Sequence, residues 1–390
     1  MTSAKSIAVI GGGTLGSFTA LRLSNLGFSV DIFESKSELL QGASFLGEGK
    51  IHLGYTYGLS QKSSYEQLIE SALSFAEIVE SSICKPINWK NITSIPFTYK
   101  VAESSLITPD EFLTHGNHVI DTIQRKKHME TYLGLPVEEI VNLERISERR
   151  FITSERSVDV EELNKIIIAE LIGRENISVY VNSEILLVKT DINNKYILSN
   201  NINDVEKRYD YVVNCTWQKR HILDKFFWDK LPELNYRTKL YVSARTNLSE
   251  TACTTVLGKY GDLIIFNTGR LYGSDYLAGL TSFTNEVMPS FAERKSLPQE
   301  LVARHWERLK SSYFFEVPEL GEVTDITTFE RTVVAKGDSD IDQFTSGLHD
   351  RSPYYLDRKG NYISALGTKF TTIPHLAKKI VDWIRQDGFK

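Results

Sequence analysis

The residues whose types and spacing point most directly to chemistry are Gly11, Gly13 and Gly16, followed by Glu34. The glycines stand in the run Gly11-Gly12-Gly13-Thr14-Leu15-Gly16, a G-x-G-x-x-G spacing, and Glu34 lies 18 residues beyond Gly16. Gly11 permits a tight turn, Gly13 lets backbone N–H groups approach a pyrophosphate, and Gly16 lets a helix lie close on a strand. A carboxylate at Glu34 can accept hydrogen bonds from a ribose diol. That chemistry is dinucleotide binding. A glycine-rich turn without a ligand would leave Glu34 unexplained.

The elements needed to position these residues are present in register. Ser6-Ile7-Ala8-Val9-Ile10 is an apolar, β-branched run of the kind buried on both faces of a parallel sheet. Apolar positions then take helical spacing at Ala20, Leu23 and Leu26, and Gly27 ends the helix as a C′ residue would. Ser29-Val30-Asp31-Ile32-Phe33 returns to strand character with Glu34 at its end. The pattern predicts an α/β fold with a Rossmann-like dinucleotide domain. Spacing alone does not separate FAD from NAD, because both carry the same ADP half.

The stretch from Gly11 to Glu34 resembles the N-terminal fingerprint of FAD-dependent oxidoreductases. Gly42-Ala43-Ser44 and then Gly47-Glu48-Gly49-Lys50-Ile51-His52-Leu53-Gly54-Tyr55-Thr56-Tyr57 resemble a loop of the D-amino-acid-oxidase-like superfamily. The wording EGKIHLGYxY is similar to that of poorly characterised bacterial members. The resemblance implies FAD as cofactor, held at the fingerprint by Gly11, Gly13, Thr14, Leu15, Gly16, Glu34 and Ser35. It places Ala43 and Ser44 along the pyrophosphate, and Gly49, Lys50 and Ile51 beside the isoalloxazine ring.

Two further segments agree with it. Asp159-Val160-Glu161-Glu162 reads as a capping box opening a helix through Leu163, Ile166, Ile167 and Leu171. Strands Ile177–Val181 and Glu184–Val188 follow, and the resemblance puts adenine near Ile185. Tyr211–Trp217 resembles a strand ending in N-A-T/A-G, with Cys215 and Thr216 as cofactor contacts and Trp217 where glycine is usual. Near the C-terminus, Gly367-Thr368-Lys369-Phe370-Thr371-Thr372 is similar to the G-G-K-Y-T-T element of glycerol-3-phosphate dehydrogenase-like members. There a glycine-rich turn would deliver a helix N-terminus toward the flavin N1–O2 edge, favouring the anionic reduced ring.

The resemblance also suggests residues for the reaction. His52 falls near the flavin, where imidazole can take up a proton, tether the flavin, or simply order its loop. Lys50 is either a ligand contact or a solvated charge. Tyr55 and Tyr57 alternate with Thr56, so an extended segment would turn both to one side. Arg331, in Phe329-Glu330-Arg331-Thr332, stands where the family carries an arginine that grips a substrate carboxylate, though the flanking glycine and proline are missing. Arg351 is a second anion-binding candidate. Asp338, Asp340 and Asp342 alternate without the remaining ligands of a calcium loop, and no metal site is expected. No G-x-S-x-G elbow supports hydrolase chemistry.

Between the cofactor segments, Ile95–Val101, Lys239–Ser243, Asp262–Phe266 and Leu277–Thr281 read as strands. Thr108-Pro109-Asp110-Glu111 and Ser296-Leu297-Pro298 open helices. The expectation is an FAD-binding domain over 1–85, 150–225 and 325–390. Interleaved with it is an α+β substrate domain over 86–149 and 226–324, carrying an antiparallel sheet.

Composition narrows the classes. The chain has 390 residues, 41% hydrophobic and 24% charged, an ordinary globular balance. Its 45 basic and 50 acidic side chains give a net charge of −5, with no basic run to hold a nucleic acid. Three scattered cysteines exclude a disulfide framework or iron–sulfur cluster. No stretch is long and apolar enough to span a membrane, so a cytoplasmic protein with a small-molecule substrate and no stable membrane insertion is expected. The expected function is oxidation of a C–H next to an amine or hydroxyl of a small anionic substrate by hydride transfer to flavin N5. A nicotinamide-linked dehydrogenase and a non-catalytic flavin-binding module are the alternatives.

Overall fold

The opening strand Ser6–Ile10 alternates its side chains between two apolar layers. Ile7 and Val9 join a cluster with Phe18 and Leu21 of the helix Thr14–Asn25. Ala8 and Ile10 pack on the other side with Ile185, Val188 and Leu198. That two-sided burial is why the strand reads as a continuous apolar run. Burying each such large side chain contributes about 1.5–3 kcal/mol. The computed structural model describes residues 5–388 except 46, 59–61, 127–130, 201–206, 259, 285, 287–296 and 337–353.

Six strands form the first sheet, in the order 177–180, 29–33, 6–10, 211–214, 362–367 and 354–359. The first five are parallel and the last is antiparallel. Helices Thr14–Asn25, Val160–Ile172 and Ile373–Gly388 cover one face, and the hairpin of Ile185–Thr190 and Tyr196–Asn200 covers the other.

A second sheet of nine strands is built around the long strand Leu234–Arg245. Ile326–Lys336 pairs along one whole edge of it, while Leu280–Thr284 and Arg270–Ser274 share the other. Asp262–Ile265, Thr251–Val256, Thr98–Val101, Arg150–Thr153 and Leu143–Ser147 continue the order outward. Helix Gln299–Tyr313 packs Trp306, Leu309 and Tyr313 onto Val242, Leu263 and Leu271.

Several local expectations change. The second sheet is not wholly antiparallel, because Thr251–Val256 runs parallel to Thr98–Val101. Residues 277–279 lie in a helical turn, Tyr276–Gly279, which Asp275 caps by accepting the Ala278 amide at 2.9 Å. Asp159 caps only the Glu161 amide (3.1 Å), since its carboxylate also holds Arg270 and Thr268. Tyr55–Tyr57 is a 3-10 turn after Gly54, whose φ is 107°, so the segment is not extended. The boundaries drawn at 150 and 325 do not follow the sheets, because Arg150–Thr153 and Ile326–Lys336 both belong to the nine-stranded one.

Candidate active site

The fingerprint turn is shaped by what cannot fit in it. Gly11 has φ 101°, and a Cβ there would lie 2.7 Å from Cys215 O. A Cβ on Gly16 would lie 1.9 Å from Gly11 O. The backbone is therefore packed as close as glycine allows, and Leu15 anchors the helix in the core. No side chain caps the helix at Gly13; Ser44 Oγ accepts the Thr14 amide at 2.9 Å. Thr14 Oγ1 is buried with no hydrogen-bond partner among the described residues. Glu34 closes the turn, Oε2 accepting from Gly12 N and Oε1 from Lys36 N, both at 2.8 Å, with Ser35 Oγ on Oε1 at 3.1 Å.

The loop beyond is drawn across the sheet by backbone pairing. Gly49, at φ 67°, lies so close to Val158 that a Cβ would meet its carbonyl oxygen at 2.0 Å. Lys50–Ile51 then pairs antiparallel with Arg156–Ser157. This pairing brings Glu155 to His52. Glu155 is fully buried; Oε2 accepts the Leu53 amide at 2.6 Å, and Oε1 accepts the Tyr99 hydroxyl. His52 Nδ1 is 3.6 Å from Glu155 Oε1.

Burial raises the Glu155 carboxyl, but the facing His52, the Lys50 charge and the hydrogen bond from Tyr99 more than offset it and hold it below its ordinary value. Burial, aided by the Lys369 charge, lowers His52 despite the opposing pull of Glu155. The pair is thus a neutral imidazole beside a carboxylate at neutral pH. Lys50 is buried too, held by Thr254 and Asp262 at 2.6 Å and by Glu48 at 2.9 Å. Asp262 and Glu48 outweigh its desolvation and raise its pKa, and Lys50 in turn, with a hydrogen bond from Thr254, keeps the buried Asp262 ionised. Lys50 is not a solvated charge.

His52 and Lys50 line a pocket with Ala43, Ser44, Gly49 and Thr56 on one side and Thr368, Lys369 and Phe370 of the C-terminal turn on another. The nine-stranded sheet supplies the rest. Lys239 is paired opposite Arg331, and Arg237 opposite Val333. Side chains two apart on a strand share a face, so Arg237, Lys239 and Arg331 come together at the pocket. Arg331 lies 4.8 Å from the Phe329 ring and 5.7 Å from Phe45. Lys239 lies 4.5 Å from the Tyr276 ring, and Arg237 donates to the Tyr276 hydroxyl at 3.2 Å.

The sequence profile of the DAO family, FAD dependent oxidoreductase, matches residues 6–383. The chain belongs to this family. Solved structures with the same fold include glycine oxidase from Geobacillus kaustophilus, at TM-score 0.66 and 15% identity, covering 98% of this chain and 95% of that one. L-proline dehydrogenase from P. horikoshii aligns at TM-score 0.64 and 15% identity, with 99% and 95% covered. FAD-bound L-alpha-glycerophosphate oxidase from Mycoplasma pneumoniae aligns at TM-score 0.65 and 14% identity, with 97% and 94% covered. No curated protein matches the sequence.

As a DAO-family enzyme the protein uses FAD. The residues present fit that group: the glycine turn admits no Cβ at Gly11 or Gly16, Thr14 Oγ1 beside it is buried and unpartnered among the described residues, and the Glu34 carboxylate closes the turn. Cys215 and Thr216 abut Gly11, and Ile185 begins the hairpin on the far face of the same sheet. Gly367 ends the strand Tyr362–Gly367, where a Cβ would meet Ile373 Cδ1 at 2.2 Å. Thr371 Oγ1 accepts the His52 amide, and Ile51 O accepts from Tyr132 at 2.8 Å. Tyr55 is fully buried against Tyr99, ring centroids 6.0 Å apart, and Thr56 takes the pocket position instead.

Arg351 and the aspartates at 338, 340 and 342 lie outside the described residues. Among the described residues no cluster of three or more His, Cys, Asp or Glu could hold a metal, and no helix is long and apolar enough to cross a membrane. Glu155, Asp262, Arg237 and Lys239 were not singled out by sequence. Arg237 and Lys239 alternate along a strand, a usable signal, but the two acids have no local pattern.

Proposed function

We propose that the protein oxidises a C–H next to an amine or hydroxyl in a small anionic molecule. The carrying observation is that Arg237, Lys239 and Arg331 meet in one pocket with His52, which is backed by Glu155. The six-stranded sheet would hold the cofactor and the nine-stranded sheet the substrate face, as two interleaved domains.

Bound FAD supplies the two-electron acceptor for such a donor. The chain's own residues bind and orient. The Arg331 guanidinium offers a planar fork to a carboxylate, and Arg237 and Lys239 add charge to the same face. Glu155, kept ionised, faces His52 Nδ1 at 3.6 Å, and its charge favours the tautomer with the proton on Nδ1 and the lone pair on Nε2. Neutral His52 then takes the proton that leaves the donor's nitrogen or oxygen. Lys50 offsets one of the two carboxylate charges of Glu48 and Asp262 in the same pocket, which lessens their repulsion of an acid.

The test is Arg331→Ala in the holoprotein. KM for an acidic donor should rise about 10–100-fold, the loss of a charge-assisted hydrogen bond, with FAD retained. Unchanged KM with FAD still bound would remove Arg331 from substrate binding.

A further inference from the structure

Trp217 combines two costs at one position. Its backbone is left-handed, φ 55°, a conformation that bulky side chains rarely adopt. Its indole Nε1–H is buried with no hydrogen-bond partner among the described residues. The ring packs onto Leu234, Tyr236, Val334 and Leu366, where the two sheets meet, and it also lines the pocket. Packing explains neither cost. A phenylalanine would fill an apolar cluster without an orphaned donor, and a glycine would take the turn without strain. Strain and an unsatisfied donor that persist together at a pocket wall point to a ligand that uses them.

The surroundings favour the cofactor as that ligand. Trp217 directly follows Thr216, whose Cα would lie 3.2 Å from a Cβ on Gly11 in the fingerprint turn. On the pocket wall it is joined by Thr368 of the C-terminal turn. It therefore stands between the two glycine turns that frame the FAD site.

We propose that Trp217 is a cofactor-positioning residue whose indole N–H donates a hydrogen bond to an acceptor atom of bound FAD. The left-handed turn then serves to aim the indole into the site. The indole N–H, which no described residue accepts, is the donor that FAD would satisfy.

The test compares Trp217→Phe with Trp217→His. Phenylalanine keeps the apolar ring and removes the N–H; histidine is smaller and more polar but keeps a ring N–H. FAD release is read as flavin fluorescence regained when each holoprotein is diluted, and donor KM is read at saturating FAD. Trp217→Phe should weaken FAD binding about tenfold, the scale of one buried hydrogen bond, with donor KM unchanged. Trp217→His should bind FAD more tightly than Trp217→Phe. The reverse rank would show a packing role and overturn the proposal. Wild-type FAD affinity in Trp217→Phe, with or without a raised donor KM, would overturn it as well.

Discussion

The His52 amide donates to Thr371 Oγ1 at 2.9 Å, a contact between residues 319 positions apart. The same hydroxyl donates to Lys50 O at 3.1 Å. One side chain of the C-terminal turn thus holds the loop carrying the proposed base, so the elements that frame the pocket are cross-braced rather than merely adjacent.

Glu155 should govern the pH dependence of the reaction. Activity that needs neutral His52 falls as pH drops through the His52 pKa, which burial and Lys369 hold below 6.5. Glu155 raises that pKa, so Glu155→Gln should shift the acid limb of kcat/KM to lower pH, with a rate loss of about 10²-fold. Lys369→Met removes a charge that lowers it, and should shift the limb to higher pH. Limbs that stay in place in both variants would take His52 out of the profile.

Lys50 is a buried cation between two carboxylates. Lys50→Met should destabilise the protein by about 3 kcal/mol, because Asp262 and Glu48 lose their counter-charge. Adding Asp262→Asn should recover part of the loss, which urea unfolding of the single and double variants would show.

Gly16→Ala would place a methyl group 1.9 Å from Gly11 O. The turn must open, so the purified variant should lack bound FAD and melt lower than wild type, overpacking costing about 1–3 kcal/mol. Absorbance of the purified protein reports the cofactor directly.

His305 is fully buried, its Nε2 accepting the Asp275 amide at 3.1 Å. Burial, with the Lys239 charge, pushes it down to about 4 from 6.5. The unfolded chain binds this proton at higher pH than the folded one, so stability contributed by neutral His305 is present above 6.5 and lost as pH falls toward 4. His305→Gln should flatten the stability–pH curve across that window.

Legibility in the sequence followed the range of the forces involved. The strand, turn, helix, strand and Glu34 were readable because they cooperate within one βαβ unit. The capping box at Thr108 and Glu111 was readable for the same reason, and both of its hydrogen bonds form. Lys50 was ambiguous because its partners Thr254 and Asp262 are 204 and 212 residues away. Glu155 was invisible because its meaning comes from a two-residue strand pairing that brings it to His52. Residues 277–279 have a strand-like composition, but one aspartate cap outweighs it and the chain turns helical there. The apposition of Lys239 and Arg331 needed the strand register, which no local pattern specifies.

The most direct test of the account is anaerobic mixing of the holoprotein with small α-amino and α-hydroxy acids, each beside its uncharged amide, while flavin absorbance is followed. At least one acid should bleach the flavin, its amide should do so far more slowly, and His52→Ala should slow bleaching by the acid. Bleaching at equal rates by acid and amide, or by no donor of either class, would contradict the account.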